Sequence, residues 1–127
     1  MNLKEYFDTA RGRGILATSD GDGKVGIAVY SRPHVMDDGT LAFVMRERLA
    51  HRNVTINPHA AYMYIEDGPG YRGVRLFLRK VGEEIDPELI SKMTRRWLTP
   101  EEDRAKGPKH LVVFAVDSAL PLIGTGE

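Results

Sequence analysis

Hydrophobic positions along the chain change period several times, and each change marks an element. Leu3, Tyr6, Phe7 and Ala10 recur at helical spacing, Asn2 can cap this turn, and Glu5 holds the matching capping-box position. Gly12 and Gly14 are expected to end the helix. "ILATS" (15–19) reads as a strand and "DGDG" (20–23) as a turn. "KVGIAVYSR" (24–32) is a second strand, with Val25, Ile27 and Val29 on one face. After Pro33, "DDG" (37–39) signals a hairpin into the strand "TLAFVM" (40–45). "LAHRNVTIN" (49–57) can enter a helical turn, and "HAAYMYIE" (59–66) is the next strand, stopped by "DGPG" (67–70). From Tyr71 to Lys80 the chain alternates, with Val74, Leu76 and Leu78 facing one way and Arg75, Phe77 and Arg79 the other. "DPELISKMTRRWL" (86–98) predicts a helix capped by Asp86, with Pro87 in its first turn and a stripe of Leu89, Ile90, Met93 and Trp97. Thr99 and Glu102 form the capping box of another helix, and "LVVFAVD" (111–117) is a final strand.

Six strands, mostly at hairpin spacing and with few helices between them, predict a mainly β fold. An antiparallel barrel fits better than a doubly wound sheet. The 127 residues suit one domain, with its core over about 3–117 and a tail over 118–127.

Charge changes this picture only locally. Lysine plus arginine equals aspartate plus glutamate, which argues against a nucleic-acid or membrane partner. There are no cysteines, so thiolate chemistry and disulfides are excluded, in keeping with a reducing cytoplasm. The first residues lack the apolar core of a signal peptide, and no apolar run reaches the roughly 18 residues of a membrane span.

Several motifs fail on inspection. "DGDGK" starts like a calcium loop, but its twelfth position is Ser31 rather than glutamate. The same stretch lacks phosphate-loop spacing, and no serine sits in a nucleophile elbow. His34, His51, His59 and His110 show no metal-ligand spacing, so no metal site is expected.

What remains is positive charge beside strands. Arg32 ends one strand, and Arg46, Arg48, His51 and Arg52 follow the next, in "RERLAHR" (46–52). Guanidinium forks suit phosphate, and a loop entering a helix adds backbone N–H donors for an anion. The competing reading is a solvated surface turn. A second basic group, Arg72, Arg75, Arg79 and Lys80, is better read, for Arg79 and Lys80, as a polar face paired with nearby acids such as Glu83 and Asp86.

The ordered set "YSRPHVMDDGTLAFVM", a charged loop, "RNVTINPHAAYMYIED" and "GPGYRGVRLFLRKV" resembles the pyridoxamine 5′-phosphate oxidase-like family of FMN-binding split barrels. The likeness runs from residue 3 to about 117. It implies a six-stranded split barrel and a homodimer holding FMN in a groove between the two barrels. The phosphate would lie on Arg32 and on the loop Arg46, Arg48, Leu49 and Ala50, ordered by Asn53. Tyr30, Ser31 and Pro33 would lie along the ring or ribityl chain. Where the family carries serine or threonine and then lysine, this chain has Arg48 and Ala50. Either Arg46 or Arg48 replaces that lysine, or FMN is held more weakly, or another phosphate-bearing ligand is taken. Pyridoxamine phosphate oxidation is not implied, because the segments that bind that substrate have no visible match.

The function expected from the resemblance is a cytoplasmic flavoprotein, an FMN-dependent oxidoreductase of unknown substrate or a flavin electron carrier. Tyr30, Tyr71 and Trp97 are candidates to stack on the ring, although the stripe of Trp97 is also what a core residue would show. Two other readings stay open. One is a related barrel binding haem or a deazaflavin, with His34 or His51 near the ligand. The other is a barrel for single-stranded nucleic acid using arginines with Tyr62, Tyr71 and Phe77, which the neutral charge disfavours.

Overall fold

A computed structural model describes residues 2–93 and 99–124. Helix α1 (Leu3–Thr9) is followed by β1 (Gly12–Ser19), β2 (Val25–Val29), β3 (His34–Val35) and β4 (Leu41–Arg46). Helix α2 (Leu49–Ile56) then leads to β5 (His59–Glu66) and β6 (Gly73–Glu84). The helices α3 (Pro87–Met93) and α4 (Pro100–Ala105) precede β7 (Lys109–Pro121). The seven strands form one antiparallel sheet in the order β2-β1-β5-β6-β7-β4-β3.

Local chemistry explains three of these boundaries. The side chain of Asn2 accepts from the Glu5 amide and starts α1. The Asp20 carboxylate accepts the Asp22 and Lys24 amides, both at 2.9 Å, so "DGDGK" builds the β1–β2 turn and its first carboxylate is already engaged. Thr99 and Glu102 make the reciprocal capping box at α4.

The strand count is seven rather than six. The extra strand, β3, is two residues long and pairs His34 with Ala42 and Val35 with Leu41 across the "DDG" hairpin. Two residues are too short to show an alternating pattern. Several further boundaries differ. Strand β2 stops at Val29, so Arg32 lies beyond it rather than ending it, and β6 runs on to Glu84. Gly12 and Gly14 lie inside β1 instead of ending α1, and β7 continues to Pro121, paired with Val74, where the apolar pattern stops at 117. Gly14 is needed where it stands, since a Cβ there would lie 1.9 Å from the Tyr62 hydroxyl and 2.4 Å from the Tyr30 carbonyl. Trp97 lies outside the described residues.

The sheet curls on itself. Phe43 on β4 meets Tyr62 on β5 at 5.0 Å between ring centroids, although two strands separate them in the sheet. Tyr30, just past β2, meets Phe43 edge-on at 5.9 Å. Phe7 from α1 closes one end of the core, packed against Tyr62 and Tyr64. The inner face carries Leu16, Phe43, Met45, Val74, Leu76, Leu78 and Phe114, all buried. Beside β2 the barrel has a seam, because β2 is an edge strand and bonds only to β1.

Helix α2 is pinned across β1 by a buried polar pair: Asn53 Nδ2 donates to Thr18 Oγ1 at 3.0 Å, and both residues are almost fully buried. Removing one partner leaves the other desolvated and unpaired. Asn53→Ala is therefore expected to destabilise the fold by about 1–3 kcal/mol in urea unfolding. An unchanged midpoint would show that the pair contributes nothing net.

Candidate functional site

The seam opens into a cavity of about 300 Å³, lined among others by Val29, Tyr30, Phe43, Arg46, Arg48 and Met93. Its walls come from the end of β2, from β4 and from the first turn of α2. Ser31, Arg32, Leu49 and Ala50 also line it, so seven of the nine residues expected from the resemblance meet here: Tyr30, Ser31, Arg32, Arg46, Arg48, Leu49 and Ala50. The other two do not line it. Pro33 is buried beside it, and Asn53 faces Thr18.

The rigid side of the pocket is built by Tyr62. Its hydroxyl donates to the carbonyls of Tyr30 (3.0 Å) and Ser31 (3.1 Å), which fixes the chain as it leaves β2. Burial pushes the Tyr30 hydroxyl above its ordinary pKa, with the nearby Arg48 pulling weakly the other way. Tyr30 is thus a neutral, apolar-bodied wall carrying one polar tip.

Five cations line the cavity: Arg32, Arg46, Arg48, Lys106 and Lys109. They are not equivalent. Arg32 donates to the carbonyls of Phe7 (2.9 Å) and Ala10 (3.1 Å), placing a cation at the C-terminal end of α1. Arg46 grips α4 and the turn after it, bonding the Asp103 carboxylate at 2.6 Å and the carbonyls of Asp103 and Gly107. Lys109 reaches the same carboxylate at 2.9 Å. Arg48 is the N-cap of α2 but makes no side-chain cap, and among the described residues its guanidinium has no ion pair or hydrogen bond. It sits where the first-turn amides of α2 lack intrahelical acceptors.

Asp103 sets the electrostatics of this wall. Hydrogen bonds from Lys109 and then Arg46 hold its carboxyl below the ordinary value. A depressed folded value means that the stabilisation is fully present above the usual aspartate pKa, near 3.9, and is lost as pH falls through the folded value. The melting-temperature gap between the parent and Asp103→Asn should therefore be open at neutral pH and narrow below about pH 4. A gap that ignores pH would show that these ion pairs do not stabilise the wall.

The remaining candidates fall elsewhere. His34 lines the pocket, and its Nε2 contacts the Met93 carbonyl, tying α3 over the cavity. His51 turns away toward Glu83. Tyr71 is 78% exposed in the β5–β6 loop and does not line the cavity, so it is no ring-stacking residue of this pocket. In the second basic group, Lys80 pairs with Glu83 and Arg79 with Asp117, as a paired polar face requires. Sequence reading missed Met93, Lys106 and Lys109 as pocket residues. Nothing local marks them, because they reach the site through the crossing of α3, the α4–β7 turn and β7.

No family model and no curated protein matches the sequence. Solved structures do match in fold. An FMN-binding protein of Syntrophomonas wolfei superposes with a TM-score of 0.77 at 17% identity, covering 98% of this chain and 86% of that one. An F420 reductase gives 0.71 at 20% identity, over 91% and 94%. HutZ, the haem storage protein of Vibrio cholerae, gives 0.66 at 19%, over 95% of both chains. The chain has the pyridoxamine 5′-phosphate oxidase-like split-barrel fold.

Proposed function

We propose that this chain is an FMN-binding flavoprotein that works as a homodimer in the cytoplasm, an oxidoreductase whose substrate the fold does not specify. The observation that carries the reading is Arg48, a guanidinium without a partner among the described residues, at the start of α2 and at the mouth of an apolar-walled, cationic cavity. That combination suits a phosphate joined to a flat, largely apolar ring system. Arg48 and the first-turn amides of α2 would hold the phosphate, and Arg46 and Lys109 would reinforce the field. Tyr30, Ser31, Val29 and Leu49 would lie along the ring and ribityl chain. Bound FMN would supply the redox chemistry, while the chain binds, orients and excludes water.

Two features support the dimer. A cavity of about 300 Å³ is at the small end for a cofactor site, consistent with a wall completed by a second copy. Val29, on the pocket rim, continues into an exposed apolar surface of β2: Val25, Ile27 and Val29 are 72, 75 and 81% exposed. A monomer in water gains nothing from such a face.

The F420 reductase of the same fold supports a second reading, in which a deazaflavin takes the pocket and Arg48 holds its phosphate. One experiment separates these. The protein is purified without added cofactor, its visible spectrum recorded, and the ligand released by heat identified. FMN at about one per chain supports the proposal, a deazaflavin the second reading, and a Soret band a haem protein. A colourless protein that refuses added FMN overturns the flavin reading. Among the described residues no helix is long and apolar enough to cross a membrane.

A further inference from the structure

Behind the basic wall, three side chains from three elements converge. They are His51 from the first turn of α2, Glu83 from the end of β6 and His110 from the start of β7. One donor atom of each lies within 4.8 Å of the others. His51 Nε2 is 2.9 Å from Glu83 Oε1, and His110 Nδ1 is 3.0 Å from Glu83 Oε2, so two imidazoles straddle one carboxylate. Their rings stack at 4.2 Å, and each side chain is 13% exposed.

The proton arrangement is informative. His110 Nε2 lies 3.0 Å from Glu47 Oε1, in hydrogen-bond geometry. A carboxylate there can hold the Nε2 proton, which frees Nδ1 to act as a donor atom. His110 Nδ1 is itself buried and makes no hydrogen bond, because its approach to Glu83 Oε2 has the distance but not the direction of one. Nδ1 and the Glu83 carboxylate thus face one another at hydrogen-bond distance without a bond between them, an arrangement that a shared cation would satisfy. A carboxylate behind a histidine that offers its other nitrogen is the usual outer-shell support of a metal ligand.

We propose that His51 Nε2, His110 Nδ1 and the Glu83 carboxylate bind a divalent transition ion of the zinc class, with water completing its coordination. Two imidazoles and one carboxylate form a zinc donor set, whereas magnesium and calcium prefer oxygen alone. Tetrahedral bonds of about 2.0–2.1 Å place donors roughly 3.3 Å apart, so small side-chain rotations bring the three atoms into place. Lys80 Nζ, 3.0 Å from Glu83 Oε1, is the competing cation and must yield part of that carboxylate. The ion ties α2 to β6 and β7 directly behind the pocket, since His51 follows Ala50 and His110 follows Lys109, both pocket-lining residues. Sequence spacing could not reveal the site, because its ligands lie far apart in the chain and meet only through the β6–β7 pairing and the approach of α2.

The test is calorimetric titration of the full, untagged chain with Zn²⁺, alongside Co²⁺ followed by its visible absorption. One ion per chain is expected, with Mg²⁺ giving no signal and Zn²⁺ raising the melting temperature. His51→Ala and His110→Ala should each weaken binding by about a hundredfold or more. The near-isosteric Glu47→Gln should cost about tenfold. Lys80→Met should tighten binding, and His59→Ala, an exposed control, should change nothing. Binding no tighter in the parent than in Glu83→Gln, or binding that survives both histidine substitutions in folded protein, overturns the site.

Discussion

Arg48→Ala should weaken FMN binding by about 10- to 150-fold, equivalent to about 1.5–3 kcal/mol, while leaving riboflavin affinity unchanged. The reason is selective. Among the described residues only Arg48, of the pocket arginines, has no protein partner. Arg32 is held by the end of α1 and Arg46 by Asp103, so each would have to leave an existing bond to take a phosphate. Among the arginines, a charge-assisted bond to phosphate should therefore fall mainly on Arg48, and riboflavin lacks the group that would form it. Fluorescence quenching of both flavins on parent and variant reads the difference directly. Equal losses for the two would mean that Arg48 acts on the shape of the pocket instead, and an unchanged FMN dissociation constant would remove it from the site.

The second large effect concerns the outer face of the sheet. Register places Val29, Ile15 and Met63 in one cross-strand row, with Ile27, Ala17, Ala61 and Phe77 in the next. Phe77 and Met63 are 42% and 37% exposed, so the apolar surface runs from β2 across β1 and β5 to β6. The double variant Ile27→Asp, Val29→Asp should convert the dimer to a monomer at micromolar concentration and reduce FMN binding with it. Two carboxylates buried against an apolar partner face have no counter-charge. The fold itself should keep its melting temperature in the monomer, because both side chains already face solvent there. Sedimentation with flavin absorbance as the tracer measures both outcomes together. A parent protein that sediments as a monomer and still binds FMN tightly would exclude a site shared between two chains.

Much of this molecule could be read from residue pattern. The period-2 alternation of Val74, Leu76 and Leu78 identified the buried face of β6, and all three are at most 1% exposed. Turn chemistry at "DGDG" and capping chemistry at Asn2 and Thr99 placed three boundaries, because each depends on side chains within four residues of the backbone they bond. The cluster of arginines around α2 was visible as composition, and seven of the nine residues named from the family resemblance line one cavity.

What a pattern cannot carry is which groups meet across the fold. Alternation put Val25, Ile27 and Val29 on one face but did not say that this face points outward. That depends on the β1–β2 register, which sets Ile27 and Val29 opposite Ala17 and Ile15, on the face away from buried Leu16. Composition counted the arginines as equal, whereas Asp103, 57 residues from Arg46, engages Arg46 and leaves Arg48 as the pocket arginine without a partner among the described residues. The imidazole–carboxylate cluster depends likewise on partners from separate elements. Local sequence determined the strands, turns and caps, since those rest on near neighbours and backbone geometry. Charge pairing and exposure were decided only when the sheet curled, because both depend on distances between residues the chain keeps far apart.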